Sequence, residues 1–368
     1  MQTTPSEQAS RRSVVFGGLT SLLLLAGKAS SPSWAASTPV TSTEWPEAAV
    51  ESQGISAPAL EAVLASGATV TALRSILVAR NGVLVAERYY GGAAPTQLLP
   101  INSATKSVCS ILVGLALEQG KLRSLSQTVS ELLPEQAGSV PGSPANAVTL
   151  RQILTGTTGL AYDYRTQLRP LMNSADPVQH VLELRHDGRP PNSWSYNDAA
   201  VSLLTPILER AQGLPLRELA RRDLFAPLGI DDFSWSQDRG GYPTAYRGLQ
   251  LKTRDLLKLA WVMADAGRWG GGQVIPSDWV TESLQPKVNG VWRNPPVVDS
   301  GYGYLWFTGT LMGHQVAWAW GYGGQFAIVV PSLRLAIATA ATNPPLQTLA
   351  AQTESVTSLV GRIVEATT

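Results

Sequence analysis

Ser103 and Lys106 stand three residues apart at the start of an apolar run, residues 102–119. On a helix, positions i and i+3 share a face, so the hydroxyl and the amine would lie one turn apart. A serine becomes a competent nucleophile when a base takes its proton. A lysine can be that base once burial lowers its pKa, because desolvation disfavours the ammonium. After Lys106 the run stays apolar or small as far as Leu117. This predicts a helix that enters the core and holds the amine in a low dielectric. The helix start also points unpaired N–H groups at Ser103, where an oxyanion would develop. Of the six lysines only Lys106 has a serine three residues before it. An S-x-x-K pair also arises by chance in an ordinary helix with a polar first turn, so the remainder of the chain has to discriminate.

Two further stretches carry suitable chemistry. Trp194-Ser195-Tyr196-Asn197-Asp198 precedes an apolar helical pattern over 199–212, and Trp320-Gly321-Tyr322-Gly323-Gly324-Gln325 forms a glycine-rich passage between two strand-like runs. Glycines in such a passage let another backbone or a ligand approach closely.

The elements that must position these residues follow from periodicity. Runs 75–80 and 83–89 flank Asn81-Gly82 and predict a hairpin with a type I′ turn. A capped helix starts at Ser56-Ala57-Pro58 and stops near Gly67. Helical patterns then dominate, at 150–154, 199–212, 215–224 and 253–266. Strand patterns return at 316–320, 325–330 and 333–341, and 345–365 closes the chain as a helix. Neither the hairpin nor the late strands are stable alone. They are expected to join one antiparallel sheet with the first and last helices on its face. The sheet part spans about 56–120 and 300–368, and the helical part about 121–299. A cleft between the two parts is the expected place for a site.

Composition narrows the function. With 28 basic against 27 acidic residues and no charge block, nothing marks a nucleic-acid partner. Residues 1–35 read as an export signal: Arg11-Arg12, an apolar run over 14–26, and Ser33-Trp34-Ala35 as a cleavage site. Ser10-Arg11-Arg12-Ser13 resembles a twin-arginine signal. Residues 36–55, rich in Ser, Thr and Pro, read as a linker, and 56–368 as one domain. The expected location is periplasmic or secreted, with no membrane anchor after signal cleavage. Cys109 is the single cysteine, so there is no internal disulfide and no thiolate metal site. His180, Glu183 and His186 spread around a helix and read as a solvated face rather than a metal site. No G-x-S-x-G elbow occurs. No cofactor or metal is expected, and oligomeric state is silent.

Together, S-A-T-K at 103–106, Y-N-D at 196–198 and Y-G-G at 322–324 resemble the three-box pattern of the serine β-lactamase and penicillin-binding-protein superfamily. The nearest resemblance is to its class C lactamase-like esterase and nylon-oligomer hydrolase branch. Stretches 148–160, 224–230, 248–255 and 321–325 resemble further segments of that branch, so the resemblance runs from about Ile55 to the end. It implies a β-lactamase/transpeptidase-like α/β (α+β) fold: an antiparallel sheet flanked by helices, with a mostly helical inserted subdomain. It implies Ser103 as acylated nucleophile, Lys106 as its base, and Tyr196 as the proton carrier to the leaving group. The backbone amides of Ser103 and Gln325 would form the oxyanion hole. Asp198, Tyr322, Gly323 and Gly324 would border the substrate, and Asp163 and Tyr164 are further candidates there.

Two departures from the pattern shape the reading. Asp198 replaces the usual asparagine, and its charge favours the Lys106 ammonium. Facing Lys106, it would make Tyr196 the better base, with the ammonium lowering the phenol's pKa. Tyr322 stands where lactamases carry lysine or esterases often carry histidine, which removes a cation for a substrate carboxylate. The expectation is therefore an exported serine hydrolase of a small ester or amide. The alternatives are a β-lactamase, D,D-carboxypeptidase or D-aminopeptidase, and a non-catalytic module that binds cell-wall or acyl ligands.

Overall fold

Leu335–Ala341 and Gln325–Val330 contain almost no polar residue and are buried along their whole length. Strands of that kind need cover on both faces. In the computed structural model, which describes residues 44–367, they form the centre of one antiparallel sheet. The export-signal reading of 1–35 and the first part of the linker reading lie outside the described residues.

The sheet has eight strands: β1 (Leu73–Arg80), β2 (Val83–Tyr89), β3 (Val288–Asn289), β4 (Val298–Tyr302), β5 (Phe307–Leu311), β6 (His314–Gly321), β7 (Gln325–Val330) and β8 (Leu335–Ala341). Their order is β2-β1-β8-β7-β6-β5-β4-β3. Asn81 and Gly82 have φ of 52° and 87°, as a type I′ hairpin turn requires. Helices α1 (Ala57–Ser66) and α8 (Leu349–Thr367) pack together, with Val360 of α8 beside Phe326 and Ile328 of β7. Between them come α2 (Thr105–Glu118), α3 (Leu150–Thr155), α4 (Tyr164–Asn173), α5 (Asp198–Ser202), α6 (Leu204–Gln212) and α7 (Thr253–Ala264). No helix among the described residues is long and apolar enough to cross a membrane.

Three sequence boundaries shift. The sheet begins at β3, before residue 300, and gains β4 and β5, whose mixed Gly, Ser, Thr and Tyr content hid the strand period. Helix α7 falls within the stretch assigned to the helical part, yet it packs on β1, β7 and β8. A buried hydrogen bond of 2.8 Å between Ser75 and Thr253 joins it to β1. Residues 44–55 are not a free linker. Trp45 is 6% exposed, donates its indole N–H to the Arg254 carbonyl and meets Trp269 edge-on at 4.9 Å. The Pro46 carbonyl accepts from the Leu84 N–H of β2 at 2.8 Å. The apolar surface of Trp45 and Ile55 outweighs the loop-like composition around them.

Helix α2 runs through the middle of the molecule. Residues 105–116 are all buried. Each buried Val, Ile or Leu there contributes about 1.5–3 kcal/mol. Gly114 lies under Trp279, where a Cβ would come within 2.3 Å of the indole. The helix is fixed from every side, and so are the groups at its start.

Candidate active site

Ser103 lies in a single tight turn, Asn102–Ala104, that leads into α2. Asn102 has φ 51°, a left-handed conformation that asparagine tolerates. Its Nδ2 donates to the Tyr322 carbonyl at 2.8 Å and to Asn343 Oδ1 at 2.7 Å. Thr105 Oγ1 donates to the Asn102 carbonyl at 2.6 Å and accepts from the Leu249 N–H at 3.4 Å. The turn is thus tied to the late strands on one side and to the Leu249–Leu251 strand on the other. At the end of β6, a Cβ on Gly321 would sit 2.2 Å from the Ile101 carbonyl oxygen. The two backbones meet at a distance that only glycine permits.

Lys106 is 2% exposed. Its Nζ lies 3.0 Å from Ser103 Oγ, 2.6 Å from Asp198 Oδ1 and 2.9 Å from the Tyr246 carbonyl oxygen. Three partners suit an ammonium that donates three bonds. They equally suit a neutral amine that accepts the Ser103 O–H and donates to Asp198 and Tyr246. Burial pushes the Lys106 pKa down, and the Asp198 charge works against that push. Asp198 opens α5, behind Asn197, whose Oδ1 caps the helix by accepting from the Ala200 N–H at 2.9 Å. The second oxygen of Asp198 accepts from the Tyr162 hydroxyl at 3.2 Å.

Tyr196 completes the group. Its ring centroid is 4.7 Å from Lys106 Nζ, which places the phenol beside the amine that touches Ser103 Oγ. Burial raises its pKa well above the ordinary value, Asp198 raises it further, and the neighbouring Ser103 hydroxyl opposes them. The expected lowering by the ammonium is therefore not the outcome. Asp198 does face Lys106, but its own charge repels a phenolate, and Tyr196 is held as a neutral phenol.

The other candidates divide. Gln325 is 1% exposed, and its side chain mimics a strand partner: Oε1 accepts from the Ala341 N–H at 2.9 Å and Nε2 donates to the Ala341 carbonyl at 2.5 Å. That clamp fixes its backbone beside the Ser103 turn. The Tyr322 hydroxyl donates to the Pro344 carbonyl at 2.8 Å. Gly323 and Gly324 have φ of 89° and 106° and press on Thr342, Pro344 and Val356. Their close contacts are with α8 and the chain before it, as turn formers. Asp163 is exposed and caps α4 through the Arg165 N–H at 2.9 Å. The neighbour Tyr162 reaches the site instead.

Asn102, Tyr162 and the Tyr246 carbonyl escape sequence reasoning. The Ala161-Tyr162-Asp163-Tyr164 cluster carried a signal, displaced by one residue. The other two are recognisable only once distant segments meet.

The Beta-lactamase family model matches residues 63–359. The 6-aminohexanoate-dimer hydrolase of Paenarthrobacter ureafaciens is 29% identical over 231 residues, 58% of this chain and 57% of that one. The lovastatin esterase of Penicillium rubens is 26% identical over 190 residues, 45% of this chain and 46% of that one. The chain thus spans about half the length of these curated relatives. A putative 6-aminohexanoate-dimer hydrolase structure from Bacillus anthracis superposes with a TM-score of 0.69 at 17% identity over 88% of both chains, a likeness of fold. A family match across most of the described residues, on a fold that brings Ser103, Lys106 and Tyr196 together, gives the assignment: this chain belongs to the Beta-lactamase family.

Proposed function

We infer that this protein is a serine hydrolase that cleaves a small ester or linear amide through an acyl-enzyme. The observation that carries this reading is the Lys106 amine, buried and 3.0 Å from Ser103 Oγ. Ser103 Oγ attacks the substrate carbonyl carbon while its proton passes to Lys106. The resulting oxyanion is held by the backbone N–H groups of Ser103 and Gln325, each such donor being worth about 3–4 kcal/mol. Tyr196, a neutral phenol, gives its proton to the leaving oxygen or nitrogen as the carbonyl–heteroatom bond breaks. The Lys106 proton then restores the phenol. Water attacks the acyl-enzyme by the same steps in reverse and frees Ser103.

The preference for esters and linear amides over penicillins rests on Tyr322. Its hydroxyl is spent on the Pro344 carbonyl, and it offers no cation to a substrate carboxylate. The names of the esterase and hydrolase relatives agree with this preference. Labelling with a fluorophosphonate, in wild type and Ser103→Ala, tests the nucleophile. Short-chain p-nitrophenyl esters against nitrocefin test the substrate class. Label on Ser103 with ester turnover is the expected result. Absence of label, or fast nitrocefin turnover with inert esters, overturns the reading.

A further inference from the structure

The phenol of Tyr196 sits among other rings. Trp292 lies 4.6 Å from it between centroids at an interplanar angle of 33°, and Tyr164 meets it edge-on at 6.2 Å. Trp194 and Phe307 stand at 6.4 Å. Trp292 also contacts Tyr164 at 5.4 Å and Trp320 at 6.2 Å. Phe307 is buried at the base of this group, whereas Trp292 is 37% exposed. A large apolar side chain left open to solvent, directly over the proposed proton donor, is placed to meet a ligand.

The mechanism says which part of a ligand it meets. The atom that receives the Tyr196 proton must come within about 3 Å of the phenol oxygen. The alcohol or amine fragment attached to that atom then lies beside Tyr196, where the nearest open wall is Trp292 with Tyr164. Arg165 lies over the Tyr164 ring at 5.7 Å, so a cation is retained at this edge of the wall. The remaining ring faces are apolar. Flat rings that meet at tilted and edge-on angles favour another ring through offset and T-shaped contacts.

We propose that Trp292, with Tyr164 and Trp320, forms the leaving-group subsite and selects substrates whose alcohol or amine part is aromatic, so that aryl esters and anilides are cleaved in preference to alkyl ones. This rests on the serine-hydrolase reading above. Trp292 acts here as a specificity-determining residue, through contact with the departing fragment and not with the acyl group.

The test compares phenyl acetate with 2,2,2-trifluoroethyl acetate in wild type, Trp292→Ala and Trp292→Phe. A series of p-nitrophenyl acetate, butyrate and benzoate reads the acyl side. In Trp292→Ala the ratio of kcat/KM for the phenyl over the trifluoroethyl ester is expected to fall about tenfold. The fall should come mainly through KM, with the order of the acyl series retained and most of the ratio restored in Trp292→Phe. Comparing each ester across variants cancels the intrinsic difference between the two leaving groups. An unchanged ratio, or a loss that follows the acyl group instead, overturns the proposal while leaving the hydrolase reading in place. If Ser103 takes no fluorophosphonate label and neither acetate is cleaved, the hydrolase reading falls first.

Discussion

Replacing Gly321 by alanine tests the contact that holds the Ser103 turn against the end of β6. The new Cβ would stand 2.2 Å from the Ile101 carbonyl oxygen and 2.6 Å from the Gln325 Cβ. Ordinary contact needs about 1 Å more. The first neighbour is backbone, and the second belongs to a side chain clamped on Ala341, so neither can swing aside. The strand end and the Ser103 turn must therefore separate by about that amount. A misplacement of about 1 Å in a catalytic constellation costs about 100-fold in rate. Overpacking of this kind lowers stability by about 1–3 kcal/mol. Gly321→Ala is therefore expected to fold and to lose about two orders of magnitude in kcat for p-nitrophenyl acetate, with a small fall in the urea midpoint. Fluorophosphonate labelling should slow in parallel. A variant with wild-type kcat would refute the claim that this close approach sets the oxyanion geometry. A variant that does not fold would refute the claim that the strain stays local.

Two further outcomes follow from the buried ion pair. Removing the Asp198 charge in Asp198→Asn takes away what opposes the burial-driven lowering of Lys106, so the acidic limb of kcat/KM against pH should move to lower pH; a limb that stays or moves up would contradict Lys106 as base. Lys106 releases its proton more readily folded than unfolded, so unfolding takes up a proton between the lowered folded pKa and the ordinary value of 10.5. Its contribution to stability rises with pH across that window, and Asp198→Asn should extend the window downward, as urea midpoints over pH would reveal. Tyr162→Phe removes a 3.2 Å bond to Asp198 and should cost about 1.5 kcal/mol in urea unfolding with an unchanged m-value; no change would mean that this hydroxyl does not hold the carboxylate.

What could be read from the sequence was what is local. Ser103 and Lys106 are three residues apart, so their juxtaposition needs only the short turn at 102–104 to lead straight into α2, whose apolar run is plain in the sequence. The Asn81-Gly82 turn and the apolar β7 and β8 are equally self-announcing. Asp163 and Tyr162 show the limit. Both flank the same helix start, and only the meeting of that loop with α5 decides which one reaches Asp198. Helix α7 is separated from the sheet strands by long insertions in the chain, so its amphipathic pattern reveals a buried face but not the partner of that face. Strands β4 and β5 are short, and the pairing of β5 with β6 and of β4 with β5 supplies the order that their composition does not. The pKa of Tyr196 was the hardest to foresee, because it depends on a balance between burial, Asp198 and Ser103 that no spacing encodes.

The segment around Trp45 also covers part of an edge of the sheet. An outermost strand exposes unpaired N–H and C=O groups and can recruit another chain into a continuous ribbon. Here β2 is outermost on one side, and the carbonyl of Pro46 already occupies the N–H of Leu84 there. On the opposite side β3 is only two residues long and offers little to add to. Both rims are blunted, one by a strap and one by brevity. Trimming the chain past Pro46 would strip the strap and leave the Leu84 N–H of β2 open to another strand.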